Sequence, residues 1–141
     1  MIKFQVNKPD EGVDYKQRVG AYAVIFNENN KIAIVKTSTG YFLPGGGIEE
    51  GENHEACLKR ECIEEMGMDV EVGEMYACGN YFFYSTTLNI NMESVGNFYR
   101  CRGKGVVSEV LEDDHVLVWL AKEQALKKLF LKHQRKALEL Y

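Results

Sequence analysis

Three glutamates crowd one short stretch of this chain, Arg60-Glu61-Cys62-Ile63-Glu64-Glu65-Met66-Gly67. On an α-helix, residues three and four apart are neighbours, so Glu61 faces both Glu64 and Glu65. Like charges at that spacing each cost roughly a few tenths of a kcal/mol. Arg60 is the sole cation nearby within the stretch. A hard divalent cation would reverse the sign of this cost. Mg²⁺ takes oxygen ligands, keeps several waters and commonly bridges a few carboxylates to phosphate groups. Three carboxylates on one helix face are therefore repulsive alone and favourable around an ion.

The elements that must position these carboxylates are readable nearby. Asn53 is the expected N-cap of the helix, Glu55 lies in its first turn, and Gly67 is the stop. At about 100° per residue, Ala56, Leu58, Cys62, Ile63 and Met66 share one broad apolar face, with the glutamates on the opposite arc. The preceding Tyr41-Phe42-Leu43-Pro44 runs into Gly45, Gly46 and Gly47, where a helix is excluded and an extended stretch ends. Earlier, VGAYAVIF and KIAIVKT flank the polar NENN at 27–30 and read as a β-hairpin with a four-residue loop.

Downstream, DVEVGEMYACGNYFFYS reads as strand, interruption, strand, and VGNFYRCRGK as a further strand of period two. VSEVLEDD is an acidic loop, HVLVWL a short buried strand, AKEQALKKLF an amphipathic helix, and LKHQRKALELY a second helix or its continuation. Strands on both sides of a central helix, with more helix at the end, predict an α/β architecture with a mixed sheet covered by helices. Trp119 reads as core, and His54, His115 and His133 as surface or structural.

Composition narrows the function classes. A chain of 141 residues suits one domain spanning 1–141, and 45% hydrophobic with 27% charged residues is ordinary for a soluble globular protein. No apolar run nears the roughly 20 residues that span a bilayer. The N-terminus lacks the apolar core of a secretory signal, and Cys57, Cys62, Cys78 and Cys101 form no C-x-x-C pair, so a cytoplasmic free-thiol protein is expected. Of the net charge of −4, the acidity sits at residues 46–68, where seven glutamates face only Lys59 and Arg60. That points away from nucleic-acid binding there and towards a cation.

Taken as a whole, GGIEEGENHEACLKRECIEEMGM, residues 46–68, resembles a Nudix box, G-x5-E-x7-R-E-U-x-E-E-x-G-U with U bulky and apolar. Gly46, Glu52, Arg60, Glu61, Glu64, Glu65 and Gly67 fill all seven invariant positions, Met68 suits the last U, and Cys62 is a small but apolar first U. Chance agreement is on the order of 10⁻⁷ per starting point.

The resemblance implies a Nudix fold, an α/β/α sandwich with a mixed central sheet whose loop and helix form the catalytic platform. It implies Glu61 and Glu65 as principal metal ligands, Glu64 sharing a second ion, and the carbonyl of Gly45 as a further ligand. Arg60 would orient the cluster through Glu52 or Glu61, while Gly46, Glu52 and Gly67 would shape the box. The general base would be a helix glutamate, Glu61 or Glu64, or a glutamate of the acidic loop, Glu112 ahead of Glu109. The implied cofactor is Mg²⁺, with Mn²⁺ as a substitute, and the partner a small nucleotide; a homodimer stays compatible.

The implied reaction is hydrolysis of a nucleoside diphosphate linked to a group X. The chain's prolines are Pro9 and Pro44 alone, so the proline that ADP-ribose hydrolases carry past the box is missing. Tyr84 stands 16 residues past Met68, a weak match to dinucleoside polyphosphate hydrolases. A MutT-like (deoxy)nucleoside triphosphate pyrophosphohydrolase leads, a dinucleoside polyphosphate hydrolase follows, and a nucleotide sensor without turnover is the reading from another class. Tyr81, Phe82, Phe83 and Tyr84 are candidates to stack on a base or to fill the sheet face.

Overall fold

A computed structural model describes all 141 residues. In chain order the elements are β1 (Ile2–Gln5), β2 (Lys16–Ile25), β3 (Ile32–Lys36), β4 (Tyr41–Phe42), β5 (Gly45–Gly47), α1 (His54–Met66), β6 (Met68–Ser85), β7 (Ile90–Val106), β8 (Val116–Leu120), α2 (Lys122–Lys128) and α3 (Lys132–Glu139). One sheet has five strands in the order β1-β6-β7-β2-β5, and a second has three in the order β4-β3-β8. The larger sheet is mixed: β7 pairs antiparallel with β6 and parallel with β2. No helix is long and apolar enough to cross a membrane.

The alternation of side chains along β2 and β3 builds two cores. Ala21, Ala23, Ile25, Ala33 and Val35 point to one side and pack with Cys57, Leu58, Cys62 and Met66 of α1. Val24, Ile32 and Ile34 point to the other and pack with Phe98, Ala125, Leu129, Ala137 and Leu138. A strand with both faces buried needs a helix layer on each side. The result is the expected α/β/α sandwich, with α1 on one face and α2 and α3 on the other. Trp119 packs, partly buried, against the α1-side core.

The expected hairpin between β2 and β3 does not form. A turn does stand at Asn27–Lys31, closed by Asn27 N–H to Lys31 O at 2.9 Å and by Asn30 at φ 60°. Beyond the single bridge between Phe26 and Ile32 the strands part into different sheets. The reason is that β2 is already paired on both edges, with β7 and β5, so β3 has no free edge to join. It pairs β4 and β8 instead. Similarly, the interruption expected in 69–85 is a set of register shifts between Val72, Met75 and Ala77 inside one long strand, β6.

Helix α1 begins and ends as its sequence dictates. The Asn53 side chain accepts from Ala56 N–H at 2.8 Å, and Gly67 adopts a left-handed φ of 64°, its N–H closing on Cys62 O and Ile63 O. The acidic loop then docks on the same end: Val107 N–H donates to Gly67 O at 2.8 Å, and Leu111 and Glu112 N–H to Glu64 O at 3.0 and 3.2 Å. These bonds satisfy carbonyls that a helix C-terminus leaves open. A Cβ on Gly67 would stand 2.1 Å from Ser108 O. Gly67→Ala is therefore expected to destabilise the protein by about 2 kcal/mol or more, from left-handed strain plus the clash. Chemical denaturation measures it; an unshifted midpoint would contradict the docking of this loop on α1.

Candidate active site

The helix carboxylates meet the glycine strand. β5 lies antiparallel to β2, with Gly45, Gly46 and Gly47 opposite Tyr22, Ala21 and Gly20. Side chains are excluded here for two different reasons. A Cβ on Gly45, whose φ is 138°, would lie 2.1 Å from Ala21 O, so the backbones themselves forbid it. A Cβ on Gly46 would lie 2.8 Å from the Glu61 carboxyl carbon, so the box glycine leaves room for the box glutamate. The strand thus brings bare backbone up to the acidic face of α1.

Arg60 is the hub of the cluster. Its Nε and Nη2 grip both oxygens of Glu52 at 2.5 and 3.0 Å, and Nη1 donates to Glu61 Oε1 at 2.8 Å and to Glu64 Oε2 at 3.3 Å. Nη2 also donates to Gly47 O at 3.1 Å, which ties helix to strand. Both pairings expected for Arg60, with Glu52 and with Glu61, are therefore present at once. The guanidinium holds the Glu52 carboxyl down at about 2.

Glu65 stands apart from this clamp. It is buried, its Oε1 accepts from Gly45 N–H at 2.9 Å, and burial pushes its carboxyl up to about 9 despite that bond, with the charges of Glu61, Glu112 and Glu64 adding to the rise. Glu61 is pushed up too, first by burial and against the pull of Arg60. Burial and the neighbouring carboxylates thus favour the proton on Glu65, and on Glu61 burial outweighs the pull of Arg60.

No group of three or more Asp, Glu, His or Cys side chains closes into a cage for an ion, because Arg60 draws Glu61 and Glu64 while Gly45 N–H draws Glu65. A caged site is not what Mg²⁺ requires, since one or two carboxylates with waters and substrate phosphates suffice. Glu61, Glu64, Glu65 and the adjoining glycine backbone fit that donor set.

The loop docked on α1 contributes as well. Glu112 is exposed, and its charge raises both Glu61 and Glu65. Glu109 is exposed on the same loop, and its backbone passes Gly67. His115 reaches into the site: its Nε2 is 3.6 Å from Glu65 Oε2 and its Nδ1 is buried without a partner. Sequence spacing gave His115 no such role, because fifty residues and a sheet crossing separate it from Glu65. His54 and His133 are structural as expected, His54 Nδ1 lying 2.6 Å from Tyr99 OH and His133 fully buried.

A cavity of about 320 Å³ opens from this acidic end. Gly45, Gly46 and Glu65 form one wall, and Phe42, Phe83, Met92 and Leu131 the apolar remainder. Phe83 of the aromatic run faces it, braced by Tyr81 with ring centroids 4.8 Å apart, whereas Tyr84 lies outside. Arg18, Ser94 and Gln134 also line it, none of them marked by any local motif. The Arg18 guanidinium lies over Gly47, close enough that a Cβ there would meet its Nε at 2.8 Å.

Comparison with known proteins agrees with this geometry. The family model described as the NUDIX domain matches residues 16–141. Nudix hydrolase 5 of Arabidopsis thaliana is 24% identical over 153 residues, covering 100% of this chain and 48% of that protein. A MutT-like protein of Streptomyces ambofaciens is 28% identical over 110 residues, covering 77% of this chain and 66% of that one. The chain thus spans about half the length of the Arabidopsis relative and just under two thirds of the Streptomyces one. Among solved structures, a NUDIX hydrolase from Nitrosomonas europaea superposes with a TM-score of 0.72 at 18% identity, covering 88% of this chain and 87% of that one. The MutT protein from Methanosarcina mazei Go1 gives 0.68 at 23%, covering 92% and 95%. Those two establish the shared fold. A helix that sets its arginine among glutamates against a strand of bare glycine is how the box folds here, and the chain belongs to the Nudix family.

Proposed function

We propose that the protein is a Mg²⁺-dependent pyrophosphohydrolase of nucleoside diphosphates linked to a group X, with a (deoxy)nucleoside triphosphate as its leading substrate and Mn²⁺ able to replace Mg²⁺. The observation that carries this reading is the buried Glu65, bonded to Gly45 N–H, at the junction of the acidic helix and an apolar, aromatic cavity. Such a junction suits a molecule with a phosphate chain at one end and a flat base at the other. The dinucleoside polyphosphate alternative rested on Tyr84, which does not line the cavity. All box glutamates are present, which favours turnover over a sensor.

In this reading Glu61, Glu64, Glu65 and the Gly45 carbonyl hold the cation. When bound, it neutralises phosphate oxygens, polarises phosphorus and lowers the pKa of water. The chain's own residues do the rest. Arg60 fixes the carboxylates through Glu52 and Gly47 O, so the cluster is organised before substrate arrives. Arg18, which makes no salt bridge, offers its guanidinium to the phosphate chain from the cavity wall. Glu112, carried on a loop pinned to the last turn of α1, accepts the proton of the attacking water. Phe83 and Phe42 enclose the base and exclude water.

Release of pyrophosphate and mononucleotide from a panel of nucleoside triphosphates, dinucleoside polyphosphates and ADP-ribose, with Mg²⁺ and with EDTA, tests the reading. Glu65→Gln and Glu61→Gln are each expected to lower kcat by roughly 10³-fold with the fold retained. Wild-type turnover in either folded variant would sink the assignment. Glu112→Gln is expected to lower kcat by about 10²-fold with KM little changed, and Glu109→Gln to leave both near wild type. The reverse pattern would move the base to Glu109.

The Glu65 carboxyl also predicts a pH dependence. Folded, it holds its proton up to about pH 9, whereas its ordinary value of 4.5 applies once unfolded. Between those values the folded chain binds the extra proton, so stability falls as pH rises. His133, lowered from 6.5 to about 4 by burial, acts in the opposite sense and only as pH falls below neutrality. In metal-free buffer Tm should therefore decline from pH 7 to pH 8.5, and Glu65→Gln should flatten the decline. Saturating Mg²⁺ should raise Tm more at the upper end. A flat wild-type profile would contradict the buried state of this carboxyl.

A further inference from the structure

The floor of the cavity carries a polar pair that hydrolysis does not use. Gln134, on α3, is buried to 1% exposure, and its Oε1 accepts from Leu43 N–H at 2.8 Å. That bond fixes which end of the amide is oxygen, because a backbone N–H can only donate. The Gln134 Nε2 makes no hydrogen bond within the protein, and it is not sealed off from solvent. Ser94, on the central strand β7, is likewise buried, and its Oγ lies 3.1 Å from Nε2 of His133, the residue beside Gln134 on α3.

His133 decides what Ser94 offers. It is wholly buried among the rings of Tyr22, Tyr81 and Phe98, and its Nδ1 has no partner. A buried neutral imidazole carries one N–H. An orphaned buried N–H is rarer and costlier than an orphaned lone pair. The proton therefore sits on Nε2 and is donated to Ser94 Oγ, which leaves the serine O–H to turn towards the cavity it lines. Gln134 thus spends its oxygen inside the protein and presents an amide donor outward, while Ser94 keeps its O–H and one lone pair for the cavity.

We propose that this cavity, with the Gln134 Nε2 donor and the Ser94 hydroxyl in its lining, selects a 6-oxopurine base, guanine or hypoxanthine. The inference rests on the proposed function in taking this cavity as the seat of the nucleotide. A 6-oxopurine places two acceptors, O6 and N7, on one edge, whereas adenine places an amino donor beside N7 and would set donor against donor. Excluding such a mismatch at a desolvated site discriminates more strongly than any added contact. Phe83 supplies the ring face on which any base stacks, so the choice among bases falls to the floor.

The test is calorimetric binding of IMP, GMP and AMP to the wild-type protein without added metal, with the same ligands for Gln134→Glu and Ser94→Ala. Gln134→Glu keeps an oxygen for Leu43 N–H and replaces the outward amide with a carboxyl oxygen, and Gln134→Met, which removes the amide altogether, serves as its uncharged control. Wild-type protein should bind IMP and GMP on the order of tenfold more tightly than AMP, as one or two base-edge hydrogen bonds allow. Each folded variant should shrink that ratio at least threefold. A purely structural role would lower all affinities together and leave the ratio unchanged, which would overturn the proposal, as would equal wild-type affinity for IMP and AMP. Should Gln134→Glu fail to fold, the wild-type ratio and Ser94→Ala decide. Loss of all nucleotide hydrolysis with the binding ratio intact would count against the proposed function and leave the base selection standing.

Discussion

One arginine holds the site in its working arrangement. Arg60 grips Glu52 with two nitrogens, Glu61 and Glu64 with the third, and the backbone of Gly47 as well. Without it, the glutamates of α1 would repel one another across a helix face only partly open to water. Planar, always charged and able to bond several oxygens at once, a guanidinium serves here where an ammonium would not. The clamp also joins three pieces of chain that share no regular hydrogen-bond ladder: the glycine strand, the loop carrying Glu52, and α1. Glu65 is left outside the clamp, bonded to Gly45 N–H, with His115 Nε2 3.6 Å away, and pushed up by burial.

The fold supplies the rigid surroundings that such a cluster needs. β2 is buried on both faces and paired on both edges, so the short glycine strand β5 has a fixed edge to lie on. The α1-side core seats the helix through Cys57, Leu58, Cys62 and Met66, and the opposite core seats α3 beneath the cavity. The acidic face of α1 and the cavity floor thus belong to different layers, and the strands between them set their relation. Loops carry the adaptable parts. The 107–114 segment is bonded to the end of α1 and, through Asp114, to Ser38.

Local features were legible in the sequence, and long-range ones were not. Asn53 and Gly67 announced the ends of α1 because capping is decided within four residues of chain. The box residues came together as their spacing implied, since one helix and one adjoining strand contain nearly all of them. The supposed β2–β3 hairpin failed because competition for strand edges is a property of the whole sheet, and β7, some seventy residues later, claims the edge. Glu112 was readable as a loop acid, but the bonds that pin its loop to Glu64 O were not. His115, Ser94, His133 and Gln134 carry no local signal at all. Their roles arise from juxtapositions across layers, and only the assembled structure brings His133 to Ser94 or Gln134 to Leu43.

In the proposed function, the carboxylates gathered around Arg60 and Gly45 hold a divalent cation. The most direct test is a crystal structure of the protein soaked with Mn²⁺, with the ion located by its anomalous scattering. The expected result is a peak in coordination contact with Glu61 or Glu65, with the Glu65 carboxylate released from Gly45 N–H or shared with the ion. Saturating Mn²⁺ bound only elsewhere, with the contacts of Arg60 and Glu65 unchanged, would contradict it.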